Sequence, residues 1–309
     1  MNGLIVSSSP HFRHKDTTSG IMLDVLISLI PASIAGIVLF GPRAALLILV
    51  CIASAVLSEY ICCRILKKPN STKDLSAAVT GLLLALCLPP SLPLWMGMLG
   101  SVISIVIVKQ LFGGLGQNFA NPAITGRIVL MVSFPTAMTT WDAPFAWLNA
   151  ADAVTTATPL AGGGEFTLQQ LLLGYKGGCI GETYALALLL GGIYLVVRRV
   201  ITPVIPLCFI GTTGLLMWAF GENPLFHILT GGLLLGAIFM ATDYVTSPAT
   251  TKGKAIYAIG CGVITAVIRQ FGSLPEGVSY SILVMNIVVP YINRLCAPKP
   301  FGWEGAKDE

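Results

Sequence analysis

Apolar segments long enough to cross a lipid bilayer follow one another along most of this 309-residue chain. That succession restricts the fold more than any single motif does. A helix needs about 20 residues to span the hydrocarbon core. Ten stretches reach or approach that length: 21–40, 43–63, 75–88, 93–112, 122–135, 179–197, 202–220, 225–241, 255–271 and 278–296. Composition agrees, with 55% hydrophobic residues, only 10% charged and a mean hydropathy of +0.82. Soluble domains carry roughly 25% charged residues, so a cytosolic enzyme, a secreted disulfide scaffold and a nucleic-acid binder are excluded. The expectation is an all-α polytopic membrane protein with about ten transmembrane helices.

Residues 1–20 lack a long apolar core and a small-residue cleavage pattern, so removal of a signal peptide is not expected. The eight cysteines lie mostly within apolar runs, and none forms Cys-x-x-Cys. They are read as small residues packing between helices rather than as metal or cluster ligands.

Segments 75–88 and 122–135 are short, and 225–241 runs on into ATDYVTSP instead of ending cleanly. Short or interrupted spans in corresponding places of two halves point to broken helices around a central site. Three weak internal matches keep the same order: 19–24 with 177–182, Val79–Leu84 with Leu229–Leu234, and Val108–Gly113 with Ile268–Gly272. Five helices per half force the second half to insert upside down, giving a 5+5 inverted repeat. The expected division is a first half (1–135), a loop (136–178), a second half (179–298) and a tail (299–309).

Basic residues orient the chain. With the amino terminus cytoplasmic, 14 of the 18 Lys and Arg residues fall in the tails and the even-numbered connections, Lys109 among them. Only Arg43 and Lys176 lie in loops on the other side. Both termini are therefore expected inside, with 136–178 extracytoplasmic. A loop that long between short connections is usually functional.

That loop contains Asp152-Ala-Val-Thr-Thr-Ala-Thr158-Pro-Leu. By composition alone it is a Thr-rich turn with Asp152 as a cap. Seven segments in order alter that reading: Ser9-Pro10-His11, LSAAVTGLLLALCLPP (75–90), KQLFGGLGQNFANPA (109–123), DAVTTATPL (152–160), GCIGET (178–183), HILTGGLLLGAIFMATDYVTSP (227–248) and IRQFGSLPEGVSYSILVMN (268–286). On these the chain resembles the RnfD family, the D subunits of Rnf complexes, relatives of the B subunits of the sodium-pumping NADH:quinone oxidoreductase (NqrB/RnfD family). The resemblance implies the fold of urea and ammonium channels. It also implies an electron-transfer component of an ion-translocating ferredoxin:NAD+ oxidoreductase in the bacterial inner membrane, coupling electron flow to Na+ or H+ transport.

In that family the loop motif reads roughly Asp-x-x-Ser/Thr-Gly-Ala-Thr/Ser, and its last hydroxyl forms a phosphoester with FMN. Carried over, Asp152, Thr155, Ala157 and Thr158 match, Thr158 is the attachment point, and Thr156 replaces the usual glycine. A β-branched residue before Pro159 suits the extended backbone that an external transferase must reach. The implied partners are a flavin transferase and the other Rnf subunits (A, B, C, E and G). A noncovalent riboflavin among the helices is also allowed.

Acidic residues within spans default to a functional hypothesis. Asp24 and Glu182 occupy matching places near the starts of the first and sixth helices, and Asp243 lies in the break after the eighth; all three are candidates for a cation route. Glu59, near Arg64, reads instead as an interfacial carboxylate bonded to a neighbouring helix. Arg127 and Arg269 need partners: Asp24, Glu182, Glu276 or the flavin phosphate. His227 reads as a packing or capping residue. The glycine runs fit no nucleotide-binding loop. The rival reading is a solute channel or secondary transporter with no redox role, which would not need the Asp152–Thr158 motif.

Overall fold

The computed structural model describes residues 17–68, 71–148, 155–156 (main chain only), 160, 166–272 and 277–298. In chain order the helices are α1 (Thr18–Phe40), α2 (Pro42–Ile65), α3 (Ser76–Leu86), α4 (Leu94–Ile103), α5 (Pro122–Ser133), α6 (Pro135–Met138) and α7 (Leu168–Leu173). Next come α8 (Ala185–Val197), α9 (Val204–Ala219), α10 (Pro224–Leu229), α11 (Leu233–Leu235), α12 (Thr251–Phe271) and α13 (Val278–Leu295). Two of them continue in the wider π form, α4 through Ser104–Gln110 and α11 through Gly236–Met240. The strands β1 (Trp141–Asp142) and β2 (Thr155–Thr156) form a short antiparallel ribbon.

Helices α1, α2, α12 and α13 are long and apolar enough to cross a membrane, and five shorter apolar helices accompany them. The protein is a helical membrane protein. The exposed face of α1 carries Leu23, Ile27, Ile30, Ile34 and Val38, an outward apolar stripe that water would penalise and lipid accepts. By contrast, α3 is buried along its length except at Ala78, as expected of a helix at the centre of a bundle.

Local chemistry sets the boundaries. Gly41 alone joins α1 to α2, at φ +79°, with its N–H on the Ile37 carbonyl at 2.8 Å. Pro42 then starts α2 with a preset φ. Asn121 caps α5 through the N–H groups of Ala123 and Ile124, and Asn223 caps α10 in the same way through Leu225. At 11 residues α3 is about 16 Å long, half a bilayer, and it stops ahead of Pro89-Pro90. Carbonyls at its end and just beyond are met from residues 180–181: the Gly181 N–H reaches Leu86 O at 2.8 Å and the Ile180 N–H reaches Leu88 O at 3.1 Å.

This capping corrects the sixth span, which begins at Ala185 rather than at 179 because 179–184 form the turns that serve α3. Glu182 therefore stands before its helix, not in it. The eighth span, 225–241, is α10, a break at 230–232, and then α11 with its π continuation. Helices α1 and α8 run antiparallel in contact. Asp24 meets Tyr194 and Arg198 at one end of the pair, and Gly36 meets Ile180 at the other. Midway, a Cβ on Gly191 would collide with the Ser28 carbonyl, so only glycine allows this approach.

Candidate functional site

A cavity of about 270 Å³ opens at the end of the bundle where α1 begins. Its walls come from α1, α3, the start of α5, the end of α8 and the segment after the second π turn. Most of the lining is apolar, including Met22, Leu83, Leu195 and Phe239. A few polar groups converge on it: Lys109, Thr80, Asn118, Asn121 and Asp243. Such a mix suits a largely apolar ligand that carries a few polar groups. Asn121 caps α5 through its oxygen and donates its amide to Met240 O at 3.2 Å, tying two walls together. Asp243 accepts from the Thr246 hydroxyl at 3.1 Å and the Val245 N–H at 3.4 Å.

Lys109 reaches this wall at the end of the first π turn, and behind it lies Glu59 of α2, with no exposure at all. Glu59 Oε1 accepts from Lys109 Nζ at 2.7 Å, from the Ser71 hydroxyl at 2.7 Å and from Gln110 Nε2 at 3.0 Å. Lys109 also donates to Ser76 Oγ at 2.7 Å. Arg64 is not involved: it stacks over and bonds to Tyr60. Glu59 is thus bonded to a neighbouring helix, as expected, but through a fully buried ion pair. Lys109 is part of that pair rather than a loop charge.

At the opposite end lies the break between α10 and α11. Arg269 of α12 donates to the carbonyls of His227, Thr230 and Gly231, and Lys176 donates to Leu229 O. The carbonyls that a broken helix leaves without intrahelical partners are met by cations, which also suit the negative end of its dipole. Glu182, buried beside Gly232, is the nearby counter-charge to both cations. Burial pulls the Lys176 ammonium down to about 8, Arg269 adds to the fall and Glu182 opposes it.

Arg269→Met leaves three carbonyls unmet and should cost about 3 kcal/mol or more of stability in detergent. Lys176→Met leaves one, partly offset by relief from burying an ammonium, and should cost about 1 kcal/mol. Thermal unfolding of the purified variants checks the order, and equal losses would refute the capping account.

The structure separates the proposed route residues. Asp24 accepts from Tyr194 Oη at 2.8 Å and from Arg198 at 3.1 Å, whereas Glu182 lies at the other end of the α1–α8 pair and Asp243 on the cavity. Arg127 donates to Ser279 Oγ at 3.0 Å and Cys179 Sγ at 3.5 Å; Arg269 faces main-chain carbonyls. His227 is buried with its ring edge-on to Phe226. Five cysteines are buried and three half-buried, all as free thiols.

Asp152, Ala157, Thr158, Pro159 and Glu276 lie outside the described residues. Thr155 and Thr156 are described by their main chain, which pairs with Asp142 and Trp141 respectively. Leu160 packs on Gly231 at the break. Sequence reasoning missed the Glu59–Lys109 pair and the convergence of Asn118 and Asn121. The available signal was a lone lysine closing the apolar run VISIVIVKQ.

The model of the NQR2, RnfD, RnfE family matches residues 5–302. The chain belongs to that family. It is 48% identical over 316 residues to the D subunit of the Na(+)-translocating ferredoxin:NAD(+) oxidoreductase complex of Acetobacterium woodii, covering 99% of this chain and 98% of that protein. Identity is 46% over 322 residues with the D subunit of the proton-translocating ferredoxin:NAD(+) oxidoreductase complex of Clostridium ljungdahlii, covering 97% of each. With the D subunit of the ion-translocating oxidoreductase complex of Escherichia coli it is 35% over 344 residues, covering 96% of this chain and 98% of that one. Family members named for Na+ and for proton translocation are thus similar to this chain to nearly the same degree.

Proposed function

We propose that the chain is the D subunit of an ion-translocating ferredoxin:NAD+ oxidoreductase, a membrane component that carries electrons while the complex moves Na+ or H+. The observation that carries this reading is near-complete coverage at 48% and 46% identity by two D subunits of such complexes. Its partners are the other subunits of the complex and a flavin transferase. It lies in the bacterial inner membrane with both termini cytoplasmic and the 136–178 loop outside.

The architecture proposed is the ten-span 5+5 inverted repeat, divided at 135 and 179. Two contacts support it: α1 packs against α8 and α5 against α13, the pairs that a two-fold relation between halves brings together.

FMN is held covalently through a phosphoester on Thr158, with Asp152, Thr155, Thr156, Ala157 and Pro159 as its motif. The local main chain fits such a role: Thr155–Thr156 is extended and paired along one edge, the form in which a hydroxyl two residues on can be offered to an enzyme. When bound, FMN supplies one- and two-electron transfer. The cavity fits a noncovalent riboflavin, with Asn118, Asn121 and Thr80 able to hydrogen-bond a polar ring edge and the apolar walls able to cover its faces. Asp243 on that cavity, with Asp24 and Glu182, remains the proposed set of acidic residues along the cation route.

Deleting the chain from a host that makes the complex tests the reading. Inverted membrane vesicles should lose ferredoxin-dependent NAD+ reduction together with the ion uptake that accompanies it, and both should return with the plasmid-borne chain. Full activity without the chain would sink the proposal. Solute uptake by the chain alone would favour a channel.

A further inference from the structure

With 24 residues α2 is about 36 Å long, so where it crosses the hydrocarbon core its last turn stands at the headgroup level. Two rows of side chains lead to that end, each at the four-residue spacing that stacks neighbours on one helix face. Leu57, Ile61 and Ile65 form an exposed apolar row, and Tyr60 and Arg64 lie beside it. The chain then turns back. The Lys67 N–H reaches Arg64 O at 3.3 Å and the Lys68 N–H reaches Cys63 O at 3.0 Å, with Lys67 at φ +51°. This is a Schellman ending, in which glycine usually takes the left-handed place; here a lysine holds it.

The turn leaves a recess of about 400 Å³ lined by Tyr60, Cys63, Arg64 and Lys68. Arg64 donates from Nε and Nη2 to Tyr60 Oη, at 3.1 and 2.9 Å. That fixes the guanidinium and leaves three of its five N–H groups. Lys68 Nζ reaches Gln110 O at 3.4 Å across the recess, where Leu111 and Phe112 are also exposed. Among the described residues no carboxylate lies within ion-pair distance of Arg64, Lys67 or Lys68.

We propose that this recess binds the phosphate of an anionic phospholipid, with Arg64 and Lys68 on the phosphate oxygens and an acyl chain along Leu57, Ile61 and Ile65. A fixed guanidinium with free N–H groups suits phosphate, and the headgroup supplies the negative charge that no described side chain does. Basic recesses beside apolar membrane-facing surface are where acidic headgroups dock. Free phosphate shares the charge but would leave the apolar row uncovered. The site depends on the membrane location of the chain and not on its redox role. It also adjoins the buried ion pair: Cys63 Sγ lies 3.5 Å from Ser71 Oγ, and both Ser71 and Gln110 donate to Glu59. A bound lipid therefore stabilises the contact between α2 and the first π turn.

The test adds phosphatidylglycerol to the purified full-length chain in nonionic detergent, follows thermal unfolding, and measures the affinity of the first retained lipid by native mass spectrometry. The wild-type chain should show a saturable rise in unfolding temperature that phosphatidylcholine does not reproduce and that shrinks as salt increases. Arg64→Gln/Lys68→Gln should weaken phosphatidylglycerol binding about thirtyfold, the joint effect of two basic side chains at a charged surface. Lys252→Gln/Arg294→Gln removes the same charge from exposed positions elsewhere and should bind as the wild type does. Unchanged affinity in Arg64→Gln/Lys68→Gln, or equal weakening in the charge-matched variant, would overturn the site. Equal stabilisation by phosphatidylcholine or by inorganic phosphate would overturn its assignment to an anionic lipid.

Discussion

On the proposed covalent-FMN reading, a Thr158→Val chain made together with a flavin transferase should carry no covalent flavin. Its in-gel flavin fluorescence after denaturing electrophoresis disappears, and its intact mass is lower than that of the wild-type chain by one FMN less water. Valine keeps the β-branched shape that suits an extended residue ahead of Pro159, so the change removes the nucleophilic oxygen and little else. Without that oxygen no phosphoester forms, and the complex loses one electron carrier from its chain. With that carrier gone, ferredoxin:NAD+ activity of the assembled complex should fall steeply while assembly persists. Thr158→Ser, which retains a hydroxyl, should remain modified. Modification that survives in the valine variant would move the attachment to Thr155 or Thr156.

Lys109→Met should cost about 3–5 kcal/mol of folding stability, the usual effect of removing one member of a buried ion pair. Glu59 has no exposure, and its Oε1 gathers Lys109, Ser71 and Gln110. Without the ammonium the carboxylate is left uncompensated away from water. Glu59→Gln/Lys109→Met removes both charges and should recover most of the loss, since a buried pair replaced as a unit is often neutral. Thermal unfolding in detergent measures both. A double variant no more stable than the single one would mean that the network's geometry, not its charge balance, holds α2 to the π turn. Because Lys109 also lines the cavity, the variants change a binding wall as well as a stability element.

Much of the scaffold was legible because lipid imposes a simple length and polarity rule on helices. The two hairpin helices α1 and α2 match their predicted spans within a few residues, since both are uninterrupted and flanked by a glycine or by basic residues. The premature end of α3 was legible in Pro89-Pro90, whereas the eighth span was expected to break at ATDYVTSP and instead breaks earlier, at 230–232, where Gly231 and Gly232 take positive φ. The late start of α8 was not, because GCIGET is apolar enough to resemble a helix while its N–H groups serve the carbonyls of α3. Arg269 was recognised as needing a partner, yet a carboxylate or phosphate was expected. A main-chain carbonyl leaves no trace in side-chain chemistry, so three of them could not be foreseen.

Asp24 and Glu182 hold matching sequence positions, and because α1 and α8 run antiparallel they lie at opposite ends of that pair. Their surroundings differ accordingly: a tyrosine and an arginine for Asp24, and a capped helix break for Glu182.

Composition and the spacing of apolar runs by themselves determined that this is a helical membrane protein, because those properties depend on neighbours along the chain, whereas the flavin-acceptor segment at 152–160 is what the resemblance to the RnfD family implies. Only the tertiary structure decided which charges are paired, which carbonyls the cations cap, where Asn118, Asn121 and Lys109 converge, and that Trp141–Asp142 receives Thr155–Thr156. Each of those depends on contacts between residues far apart in sequence, whose free energies come from burial and hydrogen-bond geometry that no local pattern encodes.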